Sequence, residues 1–151
     1  MELDEAYERA LEDTRVKEIM SKGFYLSSAF IDQDNADAVE KWNLIFFNPK
    51  SGNVVSVSVA EDGVEISDVQ KPLKEGFYEE MSTKGKGDIE DILKIIRKEF
   101  PTEIAKLLVS IRGDSWDILV IGRNLKTLFM KIDVGTKEIV KKEKGSLIRK
   151  A

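Results

Sequence analysis

Trp42-Asn43-Leu44-Ile45-Phe46-Phe47 and Trp116-Asp117-Ile118-Leu119-Val120-Ile121 are two runs of one kind. Each opens on tryptophan, carries apolar residues at both odd and even positions, and passes through a turn into a second strand-like run. With a one-residue slip in that turn, Val55, Val57 and Val59 answer Leu128, Met130 and Ile132, and Glu65-Ile66 answers Glu138-Ile139. Internal similarity on this scale is the signature of one supersecondary unit used twice.

The flanking sequence fits that reading. Leu3, Ala6, Tyr7, Ala10, Leu11, Ile19 and Met20 fall largely at helical spacing and predict one helix over residues 3–20, with Gly23 as its stop. Residues 24–31 read as a strand and residues 32–37 as a polar turn. The stretch Asn48-Pro49-Lys50-Ser51-Gly52-Asn53 and the pair Asp62-Gly63 supply turn chemistry, and residues 64–67 suggest a short edge piece. A second helix is predicted behind Asp88 as N-cap, with Ile89, Ile92, Leu93, Ile96 and Phe100 on its apolar face and Pro101 ending it. Alternation over residues 105–111 predicts a strand, with a helical turn over 102–108 as the alternative. A helical turn or two is also open for residues 73–81. The expected fold is therefore α+β, a tandem repeat of two helix-strand-strand-strand units, its antiparallel sheet carrying helices on one face. The repeats fall at about 1–68 and 88–141 of one 1–151 domain, joined by 69–87 and followed by a basic C-terminal tail, 142–151.

Composition narrows the chemistry. The 151 residues include no cysteine and no histidine, which removes thiolate nucleophiles, thiolate metal sites and the usual general base. Charged residues make up 34% of the chain, with lysine well ahead of arginine, a bias reported for hyperthermophile proteins. The start, Met1-Glu2-Leu3-Asp4-Glu5, is acidic where a secretory leader needs a basic start and an apolar run, so none is expected, and no stretch has the apolar length of a membrane span. A cytoplasmic protein is expected, with no membrane partner. A net charge of −4 argues against general nucleic-acid binding, and the C-terminal lysines have no aromatic residue among them after Phe129 to serve as a stacking platform.

No constellation specifies a reaction. Asp32, Asp34 and Asp37 suggest a calcium loop, but Ala36, Asp37 and Asn43 stand where an EF-hand needs an oxygen donor, glycine and glutamate. Lys84-Gly85-Lys86-Gly87 precedes a helix as an anion cradle would, yet it lacks the Walker spacing, and Asp88 sets a carboxylate where the phosphate belongs. Glu79-Glu80 and Glu90-Asp91 are sequence neighbours, not carboxylates opposed across a cleft. Accordingly no catalytic residue, metal ligand or cofactor is expected.

The stretch Ile132-Asp133-Val134-Gly135-Thr136-Lys137-Glu138-Ile139-Val140, set after a helix, a tryptophan-opened strand and a turn, resembles the closing strand of the PepSY family of small αβββ modules. Asn48-Pro49-Lys50-Ser51-Gly52 and Asp62-Gly63-Val64-Glu65-Ile66 are the corresponding parts of the first half. Lys137 stands where that family commonly has glycine. The resemblance implies a non-catalytic binding or regulatory module.

The tryptophan runs are apolar on both faces, whereas a sheet with helices on one face should alternate with polar residues on the other. The leading expectation is a non-enzymatic protein-binding or assembly module, a homodimer or one that takes a protein or peptide partner, with Ile45, Phe47, Leu119 and Ile121 as its interface. The alternative reading of that face is cover from within the chain, by the segment around Phe77, Tyr78 and Met81. An alternative function is a carrier of small apolar ligands, with a pocket between helix and sheet lined by Trp42, Phe46, Trp116 and Phe129. A carboxylate-dependent enzyme stands third.

Overall fold

The computed structural model describes residues 1–72 and 78–148. Among these residues the chain is α+β, with three helices and eight antiparallel strands. It divides into two compact units, residues 1–29 with 39–84 and residues 30–38 with 85–151.

In the first unit the predicted 3–20 helix is two helices, α1 (Leu3–Glu12) and α2 (Thr14–Ser21). Asp13 breaks it, because its backbone is extended (φ −75°, ψ 127°) and its side chain accepts a hydrogen bond from the Arg15 amide at 2.8 Å. Aspartate is a favoured N-cap for this reason, and the periodicity that runs across position 13 conceals the restart. A hydrogen bond from the Arg15 side chain, first, then backbone bonds and the guanidinium charge, hold the Asp13 carboxyl down at about 2 from 3.8. A carboxyl lowered on folding adds stability above its unfolded value and loses it as pH falls through the folded value. Asp13→Ala should therefore cost about 1 kcal/mol at neutral pH, and urea melts should show that difference fading as pH approaches about 2.

The strands of this unit run in the order β4-β3-β2-β1, from β4 (Gly63–Ile66), β3 (Val54–Ala60) and β2 (Lys41–Phe47) to β1 (Tyr25–Gln33), whose later residues belong to the second unit. Trp42, Leu44 and Phe46 pair with Val59, Val57 and Val55, and all six side chains are buried. Paired residues of an antiparallel ladder point the same way, so these six make one apolar layer. Tyr7 of α1 stacks on Phe46 with centroids 6.5 Å apart, which identifies this face as the helix side. The Trp42 indole N–H donates to the Met1 carbonyl, just ahead of α1, at 2.8 Å.

The helix of the second unit is α3 (Ile89–Glu99), with Asp88 in the N-cap position and Ile89, Ile92, Leu93 and Ile96 buried. After the final residues of β1 its strands follow in the order β5 (Ile104–Arg112), β6 (Ser115–Gly122), β7 (Lys126–Asp133), β8 (Ile139–Ser146). The helical alternative over 102–108 is not taken, since β5 pairs with β6 from Ile104 onward. Trp116, Ile118 and Val120 pair with Ile132, Met130 and Leu128, again as a buried layer. Here too the indole N–H of the tryptophan donates to a carbonyl ahead of the helix, that of Lys86, at 3.2 Å.

Beyond the three strands expected of each half, β4 lies at the outer edge of the first unit and β8 at that of the second. The expected tail is strand as far as Ser146, because the outer edge of β7 would otherwise present an unpaired row of backbone groups. A run of exposed lysines reads alike as a solvated tail and as a lysine-guarded edge strand, and the pairing decides for the second. Residues 73–77, where the sequence suggested a helical turn, lie outside the described residues, as do 149–151. Lys137 has φ 60°, the left-handed conformation that favours glycine, and its ammonium bonds Asp91 of α3 at 2.7 Å. That ion pair gives a reason for lysine at a position whose backbone asks for glycine. Lys142 of β8 similarly meets Glu99 of α3.

Candidate functional site

In each unit the side of the sheet away from the tryptophan also carries apolar side chains. In the first unit that surface is partly covered. Phe47, an expected interface residue, is only 2% exposed. Its ring lies edge-on to Tyr25 and Tyr78, with centroids 6.0 and 5.1 Å away. The segment after residue 77 is fastened there by two hydrogen bonds, Tyr25 hydroxyl to the Tyr78 carbonyl at 2.7 Å and the Met81 amide to the Leu26 carbonyl at 2.8 Å. Cover from within the chain, the alternative reading of this face, therefore holds for Phe47; Phe77 lies outside the described residues. Burial, then the charges of Glu80 and Glu79, raise the Tyr25 hydroxyl above its ordinary value. Ile45 stays half-exposed.

In the second unit the same side is open. Leu119 and Ile121, the expected interface residues of this unit, are half-buried. Phe30, Leu108, Leu119 and Phe129, with Ser110 and Asp117 at one end, line a shallow depression of about 320 Å³. The pairing explains the grouping: Leu108 is opposite Leu119 on one side, and Phe129 is opposite Leu119 on the other, so three side chains from three strands stand in one row. Lys141 of β8 places its ammonium 5.8 Å from the Phe129 ring centroid. Asp117 faces Lys131 across the β6–β7 pair, and Lys106 is ion-paired with Asp32, which raises the Lys106 ammonium through that bond.

The residues of the expected pocket do not share one face within their units. Trp42, Phe46 and Trp116 lie in the helix-side layers at 2% exposure or less, whereas Phe129 points to the opposite face in register with Leu119. Side-chain alternation along β7 forces this separation, since Phe129 sits between Leu128 and Met130 of the buried layer. Phe30 and Leu108 are the lining residues that the sequence reading missed. Leu108 was legible, standing between Leu107 and Val109 as another sign of a two-faced apolar strand. Phe30 was harder, because Leu26 and Ser27 are both buried and the alternation of β1 slips there.

The strand edges are guarded. In β4 the outward Val64 carbonyl accepts a hydrogen bond from the Arg15 guanidinium at 2.9 Å, and β8 exposes Lys141, Lys142 and Lys144. The remaining sequence candidates are structural. Asp32 pairs with Lys106, and the 32–37 turn is held by Gln33, whose side-chain amide donates to the Asn35 and Asp37 carbonyls at 2.8 and 3.0 Å. Among the described residues no three acidic side chains gather as a metal site would require. Lys86 turns its ammonium to the Gly113 carbonyl at 2.6 Å, away from any anion cradle at α3. Asp91 is occupied by Lys137, whose hydrogen bond, ahead of its charge, lowers the carboxyl. A second depression, about 480 Å³ in the first unit, is lined by Lys41, Ser58, Asp62 and Glu65 and combines both charges at its rim. Among the described residues no helix is long and apolar enough to cross a membrane.

No family model matches the chain, and no curated protein matches it. Among solved structures it is similar to that of a candidate lipoprotein from Clostridium difficile 630, with 13% sequence identity and a TM-score of 0.58 over 87% of this chain and 89% of that one. At that identity the likeness shows the fold alone, an α+β chain with an antiparallel sheet.

Proposed function

We propose that the protein is a non-enzymatic assembly module that pairs with a second copy of itself through the open sheet face of its second unit. The observation that carries this reading is the half-buried row of Phe30, Leu108, Leu119 and Phe129, in a unit whose outer strand β8 is guarded by exposed lysines. Aromatic and aliphatic side chains gathered in a depression are the usual anchors of an interface. The face also carries both charges, Asp117 next to Lys131 and Asp32 next to Lys106. A two-fold axis through such a patch can set acid against base, as a self-complementary interface requires.

The two units are also read as one repeated helix-and-sheet module with its helix on one face. The shared tryptophan contact supports this, indole N–H to the carbonyl ahead of the helix, at 2.8 Å in one unit and 3.2 Å in the other. Left-handed Lys137, at the position where PepSY modules commonly have glycine, supports a PepSY-like ancestry for the unit.

A carrier of small apolar ligands is the second reading. It moves from the helix side to the open face, because a depression of about 320 Å³ is at the small end of ligand-pocket volumes. Native mass spectrometry separates the two. The assembly reading expects wild-type dimer and, for Leu119→Lys with Phe129→Lys, monomer that still melts cooperatively, at a temperature independent of its concentration. Monomer carrying a mass adduct that the double variant loses would favour the carrier, and bare monomer throughout would overturn both.

A further inference from the structure

We propose that the β6–β7 turn and the end of β8 form an apolar tip that docks on an anionic lipid surface. This contact is independent of the open sheet face. Leu125 has φ 64° and is 46% exposed. The left-handed region brings Cβ too close to the following carbonyl oxygen and is normally given to glycine or asparagine. The turn itself enforces the conformation, through the Leu125 amide bonding the Gly122 carbonyl at 2.9 Å and the Lys126 amide bonding the Asn124 side chain at 3.0 Å. Burial does not offset the strain at a half-exposed leucine, so stability alone gives no reason for leucine there. A strained residue kept against stability is a pointer to function.

The same residue is the centre of an exposed cluster. The Leu147 amide donates to the Leu125 carbonyl at 2.8 Å, bringing Leu147, 56% exposed, and Ile148, 58% exposed, to the tip. Around it the charge is basic in a chain of net charge −4. Lys126 and Lys144 are exposed, while the neighbouring acids Glu103 and Glu143 are held by Arg123 at 3.1 Å and Lys141 at 3.3 Å, and Glu99, within reach of the Lys144 charge, is held by Lys142. A convex tip offers no groove to a peptide, and the Leu125 carbonyl is already taken by Leu147. Its apolar side chains are aliphatic, so bases have no platform to stack on. Another copy's tip would bring like charges together. A bilayer interface, by contrast, accepts a convex aliphatic tip without shape matching and rewards lysines beside its phosphates.

The test uses sedimentation with vesicles of phosphatidylglycerol and phosphatidylcholine at 3:1, against phosphatidylcholine alone, at low salt. Wild-type protein should bind the anionic vesicles and leave the neutral ones. Leu125→Gly combined with Leu147→Ser should lower that binding about tenfold or more while the melting temperature holds or rises by about 2–4 °C, since glycine relieves the turn. Lys126→Glu with Lys144→Glu should lower the binding with the fold intact. Binding that is equal for the two vesicle types, absent from both, or indifferent to the leucine variant would overturn the proposal. So would a leucine variant that keeps vesicle binding but loses self-association, which would give the tip to a protein contact instead.

Discussion

Trp116→Ala is expected to lose about 3–5 kcal/mol of stability, and Trp42→Ala a similar amount, as deletions of large buried aromatic side chains. Both rings lie in closed apolar layers, at 2% and 0% exposure. Each deletion removes more than volume, because the indole N–H also satisfies a carbonyl at the approach to a helix, Lys86 for Trp116 and Met1 for Trp42. Tryptophan to phenylalanine separates the two contributions, restoring most of the ring while leaving the carbonyl without its indole donor. That variant should cost about 1–3 kcal/mol. Urea denaturation of the four variants reads the result. A loss within about 0.5 kcal/mol for either alanine variant would mean that its ring does not belong to the core.

Phe47→Lys and Ile121→Lys should part company, although the two residues stand at matching positions of the tryptophan runs. Phe47 is enclosed by Tyr25 and Tyr78, so an ammonium there is buried among apolar groups, and several kcal/mol of penalty should unfold the protein or push the chain out of the pocket. Ile121 is half-exposed, and lysine can bring its charge to water while its stem stays on the sheet. Its melting temperature should stay within a few degrees of wild type, whereas dimerisation should weaken. Thermal melts over a hundredfold range of protein concentration distinguish loss of fold from loss of partner. Equal destabilisation of both variants, independent of concentration, would make Ile121 part of a core.

The same pair of residues shows what was legible in the sequence. Alternation told that both tryptophan strands are apolar on two sides, and the structure has that pattern in both units. Alternation says which residues share a face, but not what lies over the face, so Ile45 and Phe47 looked equivalent until the segment from Tyr78 to Met81 came to rest on one of them. Phe129 was legible and misread: its place between Leu128 and Met130 already put it opposite the tryptophans. The break at Asp13 was written in a capping residue, but helical spacing on both sides outweighed it. The strand from Ile139 to Ser146 could not be told from a tail by composition, because an edge strand defended by lysine is solvated on every side chain and is identified only by its backbone partner. The turn at Leu125 left no trace in the sequence, since leucine is the wrong residue for its conformation.

The most direct test of the assembly proposal is a dilution series followed by methyl NMR, because neighbouring residues on single strands report opposite faces. The methyl resonances of Leu108, Leu119 and Ile121 should move with protein concentration, while those of Leu107, Ile118 and Val120, buried on the helix side, should stay in place. Resonances that are all constant from micromolar to millimolar concentration, or shifts confined to Val140 on the β8 edge, would contradict a dimer built on the open sheet face.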